Sequence, residues 1–258
     1  MSSSPLPVTP ERVSGEAVPM AGPFTLHQNA PGECVDPRYD EVLIELAAKQ
    51  GPTAGIWQSG RGLVVPRSYR RFDTFEQSCA AFARKGWPVT VRRTGGGIVP
   101  QGPGIVNFSL AYRVEGPPMQ YSEAGYRLIC ARLSAAFADL GIDAFPAAVE
   151  GSFCDGRYNL AVLRDGIPVK IAGTAQMWQR IPGTADSHIG LVHALVLLDI
   201  DTTHATEAAN QFEASLGSDR RYRADRVISA SELLPSAPGL YRRFLASLEH
   251  NLLQSAEI

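Results

Sequence analysis

Residues 92–104, RRTGGGIVPQGPG, set two arginines beside three consecutive glycines and close with two more glycines and two prolines. Losing every Cβ at Gly95, Gly96 and Gly97 lets the backbone take positive φ and lets a ligand lie against bare peptide groups. Amide N–H groups exposed there can hold an oxyanion or a phosphate. Arg92 and Arg93 add fixed charge, and the planar donor fork of arginine suits phosphate or carboxylate. The plainer reading is a tight connection with two solvated arginines. No G-x-G-x-x-G opens a helix here and no G-K-[ST] follows, so neither the dinucleotide fingerprint nor a P-loop accounts for the run. Two further side chains can do chemistry: Lys170, on a strand beside small residues in KIAGTAQ (170–176), and Cys154, in GSFCDGRYNLAV (151–162). Taken alone, the first reads as a solvated edge lysine and the second as a buried structural thiol.

The elements that must position these residues follow from periodicity. PRYDEVLIELAAK (37–49) predicts a first helix with Val42, Leu43, Leu46 and Ala47 on one face and acids near its start. AGIWQ and GLVV read as strands parted by a turn at Gly60 to Gly62. Asp73 with Glu76 three residues on predicts a capping box for a second helix that stops at Gly86. PVTVRR alternates as a strand and runs into the glycine loop, and IVNFSLAY follows as another. Ser122 opens a helix whose face is Tyr126, Ile129, Cys130, Leu133, Phe137 and Leu140, closed by Gly141. Asp165-Gly166 predicts a β-hairpin, GLVHALVLLDID a central strand, and residues 203–216 and 238–254 two final amphipathic helices. Strands arrive as neighbours and hairpins without steady β-α-β alternation. The fold class is therefore α+β, with a mixed, largely antiparallel sheet backed by helices.

Bulk properties narrow the function classes. The formal net charge of −2 lacks the basic footprint that non-specific nucleic-acid binding needs. No apolar run approaches the roughly 20 residues of a membrane helix, which predicts a protein outside the membrane. The cysteines at 34, 79, 130 and 154 show no paired short spacing, so no metal site and no C-x-x-C motif is expected, and reduced cytoplasmic thiols are the default. Residues 1–23 carry serine and proline with no apolar signal core and read as a flexible N-terminal arm. Residues 24–258, at 45% hydrophobic composition for the chain, read as one domain.

Three motifs in order carry a family resemblance. RRTGGGIVPQGPGIVNFSL, with Asn107 and Ser109 as an Asn-x-Ser, then KIAGTAQ, then VHALVLLDID with His193 and Asp201, together resemble the biotin/lipoate protein ligase superfamily over roughly residues 37–215. The resemblance implies a catalytic domain that holds a lipoyl or octanoyl group in an apolar tunnel near the glycine loop. It implies that Lys170 reaches the acyl carbonyl or its activating phosphate and stabilises the oxygen that becomes negative as an amine attacks. It further implies acyl or nucleotide contacts from Arg92, Arg93, Thr94, Gly95, Gly96, Gly97, Asn107, Arg157, Gly173, Thr174, Ala175 and His193. His193 either orients an acceptor or polarises a phosphate, or is a hydrogen-bonded core residue. His188 and His204 read as surface or cap positions.

The branch within the superfamily turns on Cys154. With Tyr158 four residues on, it resembles the C-P-G-x-Y-D segment of octanoyl-transferring amidotransferases, whose cysteine carries the acyl group. Asp155 replaces their proline and Asn159 their aspartate. A cation at Lys170 or Arg157 would favour the thiolate that attack requires. Gln101 and Gly102 stand where ligases carry a His-Asp pair, and the end of the chain at residue 258 adds to the expectation of transfer. Arg157 in GRYN is ligase-like, so ATP-dependent ligation with Mg stays open, as does a silent paralogue that binds acyl chains or carriers. The missing arginine-glycine repeat counts against a biotin ligase. The implied partners are a small-molecule acyl donor and a lipoyl-domain or H-protein-type carrier whose lysine accepts the acyl group.

Overall fold

The computed structural model describes residues 23–30 and 32–253, so the expected arm at 1–23 lies, but for its last residue, outside the described residues. In chain order come β1 (Thr25–Gln28), β2 (Cys34–Val35), α1 (Tyr39–Gln50), β3 (Thr53–Ser59) and β4 (Gly62–Pro66). A 3-10 turn (Arg67–Arg71) leads to α2 (Phe75–Arg84), β5 (Val89–Arg92), β6 (Val99–Gln101), β7 (Ile105–Glu115) and α3 (Ser122–Ala138). Then follow β8 (Phe145–Ala147), β9 (Asn159–Arg164), β10 (Ile167–Arg180), β11 (Ser187–Leu197), α4 (Thr202–Ser215), the short α5 (Ala230–Leu233) and α6 (Leu240–Leu253).

Two sheets form. The larger has the order β1-β3-β7-β11-β10-β9-β8, with β2 also on β3; the smaller is β5-β4-β6. Pairing is antiparallel except for β1 and β2 on β3 and β4 on β5, which is the mixed, largely antiparallel arrangement expected. Strand alternation sorts the faces of the large sheet. Val106, Phe108 and Leu110 on β7, with Val192, Ala194 and Val196 on β11, point into a core closed by Ile129, Leu133 and Phe137 of α3 and Phe244 and Leu248 of α6. The opposite residues Ile105, Leu195 and Leu197 meet Val64 and Val99 of the small sheet. Phe75 and Phe82 of α2 and Phe212 of α4 cover that sheet's other side.

The Asp165-Gly166 hairpin forms as read, with both residues at positive φ (52° and 77°), which is the backbone that a two-residue turn requires. Two local expectations fail. α1 buries Leu43, Ile44 and Ala47, while Val42 is 47% exposed, because the helix packs against both β3 and β7 and its contact stripe is rotated by one residue. The capping box at Asp73 does not form. Thr74 stands at the cap and its hydroxyl donates to the Ser215 carbonyl on α4, 3.2 Å away, so tertiary packing takes over the local cap. The capping box is instead at Ser229 and Glu232, at the start of α5.

Gly104, at the turn into β7, has φ +86°, and a Cβ built there would run into the Asp199 carbonyl. Its carbonyl accepts the amides of Leu198 and Asp199, which ties the start of β7 to the end of β11. Gly104→Ala is therefore expected to lower the unfolding free energy by about 3 kcal/mol or more, read from the denaturant midpoint.

Candidate active site

β10 carries one extra residue against β9: Lys170 pairs with Ala161, but Ala172, not Ile171, pairs with Leu160. A bulge of this kind re-aims side chains. Strict alternation would put Lys170 on the face of Ala172 and Thr174. The bulge turns it instead to the face of Gly173, where a Cβ would fall 2.8 Å from Lys170 Nζ. Only glycine leaves room for the ammonium there.

Lys170 is fully buried, and Nζ donates to the carbonyls of Phe153 (2.5 Å) and Cys154 (2.9 Å). Burial pulls its pKa down to about 8, opposed by the neighbouring Cys154 and Asp155. Among the described residues no carboxylate lies within ion-pair distance of it. Cys154 sits directly above, held at φ 55°, a left-handed backbone that a non-glycine residue adopts at a cost of order 1–3 kcal/mol. Asn159 helps to hold it there: its Nδ2 donates to the Cys154 carbonyl at 2.9 Å, and its Oδ1 accepts the Thr174 amide at 3.3 Å.

The glycine loop meets the other side of the cysteine. The Gly97 amide donates to Cys154 Sγ at 3.5 Å. Arg92 reaches back under the loop and donates to the carbonyls of Gly95 (2.9 Å) and Gly97 (2.7 Å). Burial lowers the pKa of Arg92, and the adjacent Cys154 works against that shift. At Gly96, φ is +98° and a Cβ would fall 2.6 Å from Cys154 Sγ and 3.1 Å from the Arg92 guanidinium. Gly96→Ala is thus expected to cost at least about a hundredfold in kcat/KM, since displacing a nucleophile by an ångström is enough for that, with a loss of Tm of several degrees from the strained backbone that leaves the protein folded at assay temperature. Parallel kinetics and thermal melts check it.

Cys154 opens onto a cavity of about 630 Å³ that the loop glycines, Thr174, Ala175, Tyr222, Arg220 and Arg221 help to line. Its wall mixes apolar and polar surface: the loop glycines and the segment around Gly151–Gly156 alternate with Tyr126, Ala175 and Tyr222. Behind Tyr222 lies a carboxylate that the sequence reading missed. Glu213 is fully buried and accepts the hydroxyls of Tyr222 (2.8 Å) and Tyr69, and Arg220 donates to Tyr69 at 3.2 Å. Burial, with Tyr69 and Glu213 close by, raises the pKa of Tyr222 far above the usual phenol value, so Tyr222 stays protonated.

The remaining expected residues are not at this cavity. Asn107 is fully buried and exchanges amide hydrogen bonds with Gln101 at 2.8 and 3.0 Å. His193 forms a second cluster, with Nδ1 3.0 Å from Ser109 Oγ and 3.2 Å from Asp40 Oδ2. Its acidic partner is Asp40, while Asp201, the acid after that strand, caps α4 by accepting the His204 amide. Since serine and aspartate both meet the same ring nitrogen, the three do not form a hydrolytic triad, in which they would take opposite nitrogens. The cluster borders a small cavity of about 30 Å³ that Arg92, Arg93 and Thr94 also line. Arg157 is exposed, bonded to the Tyr158 hydroxyl and 3.7 Å from Glu123. The stretch SDRRYRADR (218–226) was the available signal for Arg220, Arg221 and Tyr222; nothing local marked Asp40 or Glu213.

Among the described residues no helix is long and apolar enough to cross a membrane, and no group of three His, Cys, Asp or Glu is placed to hold a metal. Comparison with known proteins bears directly on this arrangement. The family described as the lipoyl protein ligase A/B catalytic domain matches residues 37–247. An uncharacterised protein of Cupriavidus necator is 47% identical over 205 residues, 77% of this chain and 81% of its own length. An octanoyl-[GcvH]:protein N-octanoyltransferase of Kyrpidia tusciae is 35% identical over 215 residues, 82% of this chain and 72% of its own. A crystal structure of lipoate-protein ligase A bound with ATP superposes with a TM-score of 0.61 at 15% identity, covering 91% of this chain and 86% of that one, a likeness of fold. The chain belongs to the lipoyl protein ligase A/B catalytic-domain family, whose enzymes transfer lipoyl or octanoyl groups.

Proposed function

We propose that this enzyme moves an octanoyl or lipoyl group onto a lysine of a small carrier domain, of the lipoyl-domain or H-protein type, through a thioester at Cys154, with residues 24–258 acting as one catalytic domain. The observation that carries the reading is the placement of Cys154 on the cavity wall, its Sγ against the Gly97 amide and its backbone carbonyl held by the buried Lys170 ammonium. The named octanoyltransferase relative supports the same direction.

The chemistry follows from those contacts. The Cys154 thiolate adds to the acyl carbonyl of a donor amide or thioester, forming a C–S bond and placing negative charge on the carbonyl oxygen. The Gly97 N–H and the cations of Arg92 and Lys170 favour that charge in a site where the protein shields it from water. The donor nitrogen or sulfur then leaves, an amine taking up a proton as it does so. The acceptor lysine, in its neutral form, attacks the thioester, the C–S bond breaks, the thiolate returns, and the new amide releases its extra proton. Lys170 lies one layer behind the cavity wall, so it acts by its charge and by clamping the Cys154 backbone. Since acyl bonds of equal or higher transfer potential are exchanged, no nucleotide is consumed.

A second reading is favoured by the cavity itself. At about 630 Å³, with Arg220 and Arg221 on its wall and Glu150 and Asp155 beside them, it fits ATP with Mg, which would activate a free carboxylate as an adenylate. In that route Cys154 is dispensable. A third, a silent carrier- or acyl-binding protein, would show tight binding by calorimetry and no turnover. Incubating the enzyme with an apo lipoyl domain and either octanoylated carrier or free octanoate, with and without ATP, separates them. Acylation from the carrier without ATP is the expected result. Acylation only from free octanoate and ATP selects the ligase, and none under any condition removes both enzyme readings.

A further inference from the structure

We propose a second ligand site, separate from the Cys154 cavity, that binds the phosphates of a nucleotide-class ligand. A concave basin of about 480 Å³ is lined by Arg38, Arg67, Arg70 and Arg93 together with Glu41 and Val91, and shares no lining residue with the Cys154 cavity. The four arginines come from three places in the chain: just before α1, the 3-10 turn after β4, and the end of β5. All four are exposed. Arg38 pairs with Asp36 at 2.8 Å, and Arg93 donates to Gln179 at 2.9 Å. Among the described residues, Arg67 and Arg70 have no carboxylate within ion-pair distance and no side-chain hydrogen bond. Glu41 and Asp36 offset two of the four charges, so the basin keeps a local excess of two positive charges in a chain whose formal net charge is −2.

Converged guanidinium groups repel one another, and a bound oxyanion relieves that repulsion. Their planar donor forks match phosphate in particular. An adjoining hollow of about 350 Å³ shares Arg38, Arg70 and Val91 with the basin and adds Phe75, Cys79, Val89, Thr90 and the carboxylates of Asp36 and Glu76, so basin and hollow together keep one positive charge in excess. Val89, Val91 and Phe75 offer a flat base a small apolar patch, and the carboxylates can accept from its amino group or from ribose hydroxyls, contacts that a plain phosphate lacks. Concavity and this mixed lining favour a small ligand over a carrier-domain face. The small cavity at His193 shares Arg38, Glu41 and Arg93 with the basin and reaches Arg92, so a ligand there adjoins the arginine that holds the glycine loop. A nucleoside di- or triphosphate and the phosphoadenosine portion of coenzyme A present the same chemistry.

Calorimetry with ATP, coenzyme A and inorganic phosphate at low salt tests the site, in wild type and in the double variants Arg67→Glu/Arg70→Glu and Arg67→Gln/Arg70→Gln. Both side chains are exposed, so the variants are expected to keep the wild-type Tm. The expected result is one-to-one binding of ATP or coenzyme A, tighter than phosphate, weakened at least about tenfold by the glutamates and less by the glutamines. Tighter binding of coenzyme A points to a thioester donor as the source, tighter ATP to the free nucleotide. The same binding is expected with Cys154→Ser in the background, so the outcome does not depend on how acyl transfer proceeds. No binding by wild type, equal binding by the glutamate variant, phosphate as tight as the nucleotides, or a loss confined to carrier-domain affinity would each overturn the proposal.

Discussion

Methionine at position 170 is expected to reduce acyl transfer by at least about a thousandfold while moving the unfolding free energy by no more than about 1 kcal/mol. The asymmetry follows from what the lysine does in the fold. Its ammonium is fully buried without a carboxylate partner, an arrangement that costs desolvation free energy. Methionine keeps the length and apolar stem and removes that cost. Of the two carbonyls that lose a donor, Cys154 keeps the Asn159 amide, so only Phe153 is left short. An enzyme that tolerates the charge at this depth is using it. The same burial sets a pH signature. With a folded-state pKa pulled from 10.5 down to about 8, Lys170 is cationic below pH 8 and loses its proton as pH rises past it. The rate of transfer should therefore fall along an alkaline limb centred near pH 8, more than two units below where an exposed lysine would place it. For stability the sign is opposite: between about pH 8 and 10.5 the unfolded chain holds a proton at this site that the folded chain has released, so this group favours folding more as pH rises. Steady-state kinetics and thermal melts across pH 7 to 9.5, with the methionine variant as control, measure both.

The second large effect is at the nucleophile. Serine in place of Cys154 keeps nearly the same size and backbone demands but carries a hydroxyl with no base within hydrogen-bond reach among the described residues, so it is expected to lose transfer from an octanoylated carrier by at least about a thousandfold. Alanine should behave alike, and both should fold, since the thiol's polar contacts among the described residues are the weak one from the Gly97 amide at 3.5 Å and that with the Arg92 guanidinium, which keeps its bonds to the Gly95 and Gly97 carbonyls. Wild-type rates in the serine variant, together with strict dependence on ATP, would transfer the assignment to the adenylating route.

What was legible in the chain divides by range. The Asp165-Gly166 hairpin, the face of α3 and the strands on either side of the glycine loop are written in local chemistry: a turn dipeptide, a 3.6-residue stripe, an alternating run. Cys154, Lys170 and the glycines could be picked out as a constellation, and the fold brings them together. How Lys170 reaches Cys154 could not be read, because alternation alone puts it on the wrong side of β10. The bulge that corrects this is set by pairing with β9. Asp40 was equally hidden: on sequence it is one of two acids opening a helix, and only the packing of α1 across β7 and β11 brings it to Ser109 and His193. Arg157 shows the reverse failure, a motif residue whose side chain turns outward toward Glu123 because Tyr158 stacks on Tyr126 beside it. Glu213 lay on the predicted helix at 203–216, where an acid reads as solvated; the two tyrosines that bury it come from elsewhere in the chain.

Transfer by the thioester route requires a covalent bond at one sulfur, Cys154 Sγ. Intact-protein mass measurement after mixing with octanoylated carrier, without ATP, tests it most directly. The prediction is a gain of one octanoyl group that peptide mapping places on Cys154, that apo carrier discharges, and that the serine variant lacks. An enzyme that stays unmodified while acylating its carrier from free octanoate and ATP would contradict it.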